Sequence, residues 1–251
     1  MKRFAFALTL LACRAAAHDF WIEPSSFRPA VGDRVTAALR VGQKLRGDPV
    51  PRMPSLIDRF TFNGSPMPGM TGRDPAGIAV VANTGVQWIG YQSTASEVTQ
   101  DRQKFAQYLR EEGLQRIVAG RENRERFYRC AKALIAAGGD TSGSFDAPLG
   151  FTLELVPRKN PYAMRAGDAL PVALLFRGKP AAGVLVVGLN RDDPDAPVRA
   201  RTDAKGRATL RLVRGGFWLI KAVHMEAAPP GAGVDWESWW ASVTFDLQSR
   251  H

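Results

Sequence analysis

The chain holds three histidines, His18, His224 and His251, and two of them are placed to chelate a transition metal. His18 directly follows Ala15-Ala16-Ala17. A processing cut after Ala17 makes it the first residue of the mature chain. It then offers two nitrogens, the free α-amine and ring Nδ1, and a second imidazole completes a three-nitrogen, T-shaped set. Cu(II) and Ni(II) favour such square-planar nitrogen donors. The α-amine has a reference pKa of about 7.7–8.0, so a metal can displace its proton near neutral pH. His224 is the candidate third nitrogen. On a strand over Phe217–Met225 it shares a face with Trp218, Ile220 and Ala222, because side chains alternate along a strand. A half-buried imidazole bonded to a loop carbonyl is the plainer reading of His224. His251 stands at the terminus and is given no role.

Other donors surround these two. Met225 points away from His224 on a regular strand and reads as packing. Glu226, Asp235 and Glu237 follow it, and Asp19 and Glu23 flank the N-terminal strand; each reads as a possible metal contact or as plain surface. Trp236, Trp239 and Trp240 in "WESWW" suggest either a sugar-stacking platform or the edge of a core. Cys130 reads as a small buried hydrophobe, and no base is nominated to make it a catalytic thiol.

These residues need elements to hold them. Short segments rich in Val, Ile, Phe and Trp (Arg34–Val41, Leu56–Phe62, Ile78–Ala82, Val86–Gln92) alternate with turns such as Asn63-Gly64 and Asn83-Thr84-Gly85. Short strands with turns between them predict an antiparallel sandwich. From Asp101 to about Ala137 the pattern changes. Phe127, Cys130, Ala131, Leu134 and Ile135 fall at i, i+3, i+4, i+7 and i+8, which predicts a helix stopped by Gly138-Gly139. The β pattern resumes at Gly150 and runs through Leu170–Phe176, Val184–Leu189, Phe217–Met225 and Ala241–Leu247. The expected fold is all-β: two tandem immunoglobulin- or transthyretin-like sandwiches, over 18–100 and 150–247, with a short helical insertion over 101–140. "AVGDRVTAALRVG" and "RAGDALPVALLFRG" echo one another and point weakly to duplication.

The first 17 residues read as a secretory signal: Met1-Lys2-Arg3, an uncharged run from Phe4 to Ala12, then small residues before the cut. That run is far short of the roughly 20 residues of a membrane span. A periplasmic or secreted protein is expected, with no membrane span in the mature chain. A lipidated Cys13 after Leu10-Leu11-Ala12 is the competing reading, with Leu11 and Arg14 both poor for a lipobox. Residues 1–17 carry Lys2, Arg3 and Arg14 and no acid, so removing them lowers the formal charge from +10 to +7. Acids and bases are interleaved, without the basic blocks of nucleic-acid binders, so no nucleic-acid partner is expected. Cys130 alone would remain, leaving no intrachain disulfide.

The stretches "AHDFWIEP", "RFYRCAKAL", "GFTLELVP", "LNRDDPDAPVRARTDAKGRA" and "WLIKAVHMEAAPPGAGVDWESWWASVTF" resemble a family of exported bacterial proteins. That family is catalogued as a domain of unknown function, and its members are often labelled periplasmic components of cobalt or nickel uptake systems. The resemblance spans nearly the whole mature chain. It implies an all-β, exported, metal-handling accessory protein, with a membrane metal transporter as partner. It supplies no site.

No nucleophile elbow, H-E-x-x-H, P-loop or dinucleotide-binding glycine motif is present, and histidines are few for zinc hydrolysis. Three functions therefore remain. The first is a nickel-, cobalt- or copper-binding accessory protein using His18 and His224. The second is a copper-dependent oxidative enzyme with the same pair as a histidine brace. The third is a glycan- or protein-binding scaffold that takes no metal. The intact mass of the secreted protein is expected to correspond to a chain starting at His18; a lipidated Cys13 would remove the central ligand.

Overall fold

The computed structural model describes residues 19–249, so His18 and His251 lie outside the described residues. The first half holds β1 (Asp19–Pro24), β2 (Arg34–Gln43), β3 (Arg46–Val50), β4 (Ile57–Phe62), β5 (Ser65–Pro66), β6 (Gly77–Val80), β7 (Gly85–Ser93) and β8 (Ser96–Asp101). Then come α1 (Arg102–Glu111) and β9 (Glu122–Ala137). The second half holds β10 (Leu153–Pro157), β11 (Ala169–Phe176), β12 (Lys179–Pro180), β13 (Leu185–Asn190), β14 (Asp193–Arg201), β15 (Arg207–Arg211), β16 (Gly216–Ala227) and β17 (Trp236–Leu247). The protein is all-β, with one α-helix among the described residues.

The helix expected across Phe127–Ile135 is a strand. Among the described residues only Arg102–Glu111 is α-helical, capped by Asp101, whose carboxylate accepts from the Lys104 amide at 2.9 Å. Residues 122–137 form a 16-residue strand. Its even positions Cys130, Leu134 and Ala136 enter one core, and its odd positions Ala131, Ala133, Ile135 and Ala137 enter another. A strand buried on both faces reads as a nearly continuous apolar run, and such a run contains every helical spacing as well as every β spacing.

The two sandwiches also share a sheet. A nine-stranded middle sheet draws strands from both halves, in the order β14-β13-β16-β17-β9-β7-β4-β5, with β8 alongside β9. The join is the parallel pairing of β9 with β17, from Glu125↔Trp236 to Ala133↔Thr244. One face of this sheet is covered by β1, β2, β3 and β6, through Phe20, Ile22, Val35 and Leu39. The opposite face is covered by β10, β11, β12 and β15, through Leu153, Leu155, Val172 and Leu210. Helix α1 lies on the same side as β1, its Phe105, Tyr108 and Leu109 packed on Val223 and Met225.

One buried ion pair ties the second covering sheet to the middle one. Lys132 of β9 is 1% exposed, and its Nζ reaches Glu154 Oε1 of β10 at 2.9 Å. The Glu154 carboxylate also accepts from the amides of Leu149, Gly150 and Phe151. Lys132 lies over the Trp88 ring, 4.6 Å from its centroid. Burial pulls its ammonium below the ordinary lysine range, and Glu154 opposes that fall. Removing one partner of a buried pair costs about 3–5 kcal/mol, because the other charge is left stranded. Glu154→Leu strands an ammonium and three amide donors, whereas Lys132→Met leaves a carboxylate that keeps its three amides. Urea unfolding is therefore expected to show Glu154→Leu as the more destabilising change, by about 1 kcal/mol or more.

Candidate functional site

Strand β1 is hydrogen-bonded from its first described residue, Asp19, which pairs with Gly42. Two glycines of the β2–β3 hairpin allow close approach here, Gly47 to Trp21 of this strand and Gly42 to the facing hairpin strand. A Cβ on Gly47 would lie 2.4 Å from the Trp21 ring, and one on Gly42 would lie 2.0 Å from the Arg46 carbonyl oxygen. The Asp19 carboxylate turns to the middle sheet and meets Lys221 Nζ of β16 at 2.5 Å. The same ammonium reaches Glu112 Oε1, just past the end of α1, at 2.6 Å.

This trio is buried, with side-chain exposures of 7% for Asp19, 5% for Glu112 and 15% for Lys221. Burial by itself would lower the Lys221 pKa, but Glu112 and Asp19 outweigh it and leave the ammonium raised. Burial raises the Glu112 carboxyl above the usual range; Lys221 pulls it down and Asp19 pushes it up. Two carboxylates share one ammonium, so one negative charge is left over when all three are ionised. The trio lines a cleft of about 340 Å³, together with Gln43 and Lys44 from the hairpin, Glu111 from α1, and Asp195 and Arg199 from β14. Lys44 pairs with Asp195 across the mouth.

His224 does not share this cleft. Along β16, Phe217, Leu219, Lys221, Val223 and Met225 face the side of β1 and α1, while Trp218, Ile220 and Ala222 face the other covering sheet. His224 falls in the second set. Its ring packs 4.3 Å from that of Phe176 and 6.4 Å from that of Trp239, and its Nε2 lies 3.4 Å from Glu226 Oε1. The brace expected from His18 and His224 meets a physical obstacle: Asp19, the residue after His18, and His224 stand on opposite faces of one sheet. The half-buried imidazole is present, with a carboxylate as its partner rather than a loop carbonyl.

The other candidates are similarly placed. Trp239 enters the core beside Tyr128 and Phe176, at 4% exposure. Trp236 and Trp240 lie on the opposite face against Phe105, Tyr108 and Phe127, so the three indoles form no common platform. Each acid has a basic partner: Glu23 with Arg40 and Arg191, Glu226 with Arg177, Asp235 with Arg124, and Glu237 with Arg126. Among the described residues no three His, Cys, Asp or Glu side chains cluster as a ready metal site. Cys130 is buried on β9, its thiol pushed up to about 12, chiefly by burial, so thiolate chemistry there is closed. Lys221 and Glu112 were not marked by sequence reasoning. The available signal was a lone lysine inside the apolar run "GFWLIKAVH".

Comparison with known proteins gives a family and little else. The chain belongs to the family described as a domain of unknown function (DUF4198), whose model matches residues 15–226. That match ends before β17. No curated protein matches the chain. Among solved structures it is similar to the D0-D1 domain of intimin, at 12% identity over 90% of this chain and 97% of that one, with a TM-score of 0.20. It is also similar to murine CEACAM1b, at 10% identity over 92% of this chain and 100% of that one, with a TM-score of 0.22. The sandwich architecture rests on the pairings described above. No helix among the described residues is long and apolar enough to cross a membrane.

Helix α1, which carries Glu111 to the cleft, is held over the sheet by a second buried carboxylate. Glu125 of β9 is 0% exposed and accepts from Ser238 Oγ, from the Tyr108 hydroxyl at 3.2 Å and from Gln100 Nε2 at 3.3 Å. Burial raises its pKa from an ordinary 4.5 to about 7, against the opposing pull of these donors. The folded protein thus keeps this proton where the unfolded chain has lost it. Stability is therefore highest below about pH 4.5 for this group and falls as pH rises to about 7, by an amount of the order of 3 kcal/mol. Urea unfolding between pH 5 and 8 is expected to show this fall in the native protein and a flatter profile in Glu125→Gln.

Proposed function

We propose that the protein is an exported accessory protein that binds a transition metal, serving nickel, cobalt or copper handling. The first ligands are the α-amine and ring Nδ1 of His18, freed by removal of residues 1–17. One observation carries this reading. Asp19, one peptide bond from His18, is fixed by backbone pairing and by a buried ion pair at a cleft that Gln43, Glu111 and Asp195 also line. The negative charge left over in the Asp19–Glu112–Lys221 trio favours a cation there. Mixed nitrogen and oxygen donors suit Ni(II) and Cu(II).

His224 has no part in this site, because the middle sheet stands between it and Asp19. The same separation speaks against a copper oxidase built on a His18–His224 brace. The scattering of the tryptophans over two faces removes the feature that motivated a glycan-binding module. A membrane metal transporter of the cobalt or nickel uptake type is the natural partner of such a protein, a reading that rests on the labels of the resembling family.

Calorimetric titration with Cu(II) and Ni(II), using secreted protein whose N-terminus is His18, tests the proposal. His18→Ala is expected to lose most of the affinity. One glycine added before His18 is expected to do nearly as much harm, since it turns the chelating amine into an amide. His224→Ala is expected to bind as the native protein does. A glycine-extended protein that binds as tightly as the native one would overturn the N-terminal chelate.

A further inference from the structure

On the face of the middle sheet opposite Asp19, at the end of the covering sheet where β10 begins and β11 stops, lies an open pocket of about 440 Å³. Small-molecule sites run to about 300–1,000 Å³. Four strands supply its floor, through Asp58 of β4, Gln92 of β7, Tyr128 of β9 and Glu237 of β17. Thr152, just before β10, and Arg177, just after β11, wall it from the covering sheet. Tyr128 is a built platform. Its ring lies flat on the Trp239 indole, with centroids 5.6 Å apart and planes 6° apart. Trp239 is itself buried and braced by Phe176, whose ring centroid is 4.8 Å away. The half-buried tyrosine thus spends one face on Trp239 and turns the remainder of its ring to the pocket.

The polar groups around that ring narrow the kind of ligand. Each charge already has its counter-charge: Asp58 with Arg59, Glu237 with Arg126, and Arg177 with Glu226. An ion therefore finds no uncompensated charge to bind. Each of these pairs is separated by 3.4 Å or more, and hydrogen-bonding capacity is left over on both carboxylates and on the guanidinium. The side-chain hydroxyls of Tyr128 and Thr152 have no hydrogen-bond partner among the described residues. Burial first, and Glu237 second, raise the Tyr128 pKa, so its hydroxyl stays a donor. A neutral ring carrying many hydroxyls satisfies such a set, donating to the carboxylates and accepting from the guanidinium. The C–H groups on the face of that ring suit the electron-rich face of a tyrosine.

We infer that this pocket binds a pyranose sugar, stacked on Tyr128 and hydrogen-bonded through its hydroxyls to Asp58, Glu237 and Arg177, either as a free sugar or as the exposed unit of a glycan. The platform is one tyrosine backed by one indole, and it is independent of the N-terminal chelate.

Saturation-transfer difference NMR on the full chain tests this with glucose, galactose, mannose and N-acetylglucosamine at millimolar concentration, and with choline and succinate as a cation and an anion. At least one sugar is expected to receive saturation at its ring C–H protons, and choline and succinate none. Tyr128→Ala is expected to weaken that sugar by about tenfold, the upper end of what an aromatic contact contributes. Tyr128→Phe, which keeps the ring, is expected to bind much more nearly as the native protein does. The matching trisaccharide binding more tightly than its monosaccharide identifies a glycan as the source, and equal binding identifies a free sugar. Thermal melts establish that each variant is folded. Should Tyr128→Ala fail to fold, Glu237→Gln and Arg177→Met are each expected to weaken the same sugar several-fold. Absence of transfer to all four sugars, transfer to choline or succinate instead, or undiminished sugar binding in a folded Tyr128→Ala or in both rim variants would overturn the inference.

Discussion

A strand buried on both faces must be covered on both faces, and β9 imposes that condition on the whole molecule. Its sixteen residues send alternate side chains into two separate cores. Exposing either set would leave a broad apolar surface in water, at roughly 25 cal/mol per Å². The chain meets the condition by placing one four-stranded sheet on each side of the middle sheet. β9 and β17 run parallel at its centre and join strands from the two halves of the chain. The two halves are therefore one folding unit at this level, although each contributes its own outer sheet.

The middle sheet is also a wall, and that decides which residues can work together. On one side, β1 and α1 lie next to each other without closing completely, and the cleft between them is where Asp19, Glu112 and Lys221 meet. On the other side, His224 packs on Phe176 and Trp239. Lys221 and His224 are three positions apart along β16, and an odd step on a strand changes face. Buried charge follows the same partition. Lys132 and Glu154 fasten one covering sheet, and Glu125 with Ser238 and Tyr108 fastens the helix on the opposite side.

Much of the fold was legible in the sequence. The strand segments at Arg34–Val41, Val86–Gln92, Leu170–Phe176 and Phe217–Met225 match β2, β7, β11 and β16 closely, because each is bounded by turn residues. His224's face was also read correctly, since alternation along β16 is regular and Trp218, Ile220 and Ala222 share it. The failure was β9, where "CAKALIAA" offers periodicities of 3.6 and 2 at once. The i, i+3, i+4, i+7 stripe and the Gly138-Gly139 stop argued for a helix, whereas the two-sided burial that decides for a strand is a property of the tertiary fold. The parallel β9–β17 pairing leaves no local signal at all, so two tandem units looked separable. In the candidate site, His18 stood out through its distance from a signal sequence. Lys221 and Glu112 are 109 positions apart and only their shared contact gives either a meaning.

The central claim is that the metal site lies on one side of the middle sheet and takes its imidazole from His18 alone. Pulsed electron paramagnetic resonance of the Cu(II)-loaded secreted protein measures this directly, because the remote nitrogen of each coordinated imidazole modulates the electron spin echo. The account predicts the modulation of one imidazole, lost in His18→Ala and unaltered in His224→Ala. Modulation from two imidazoles, reduced to one by His224→Ala, would contradict it and return His224 to the site.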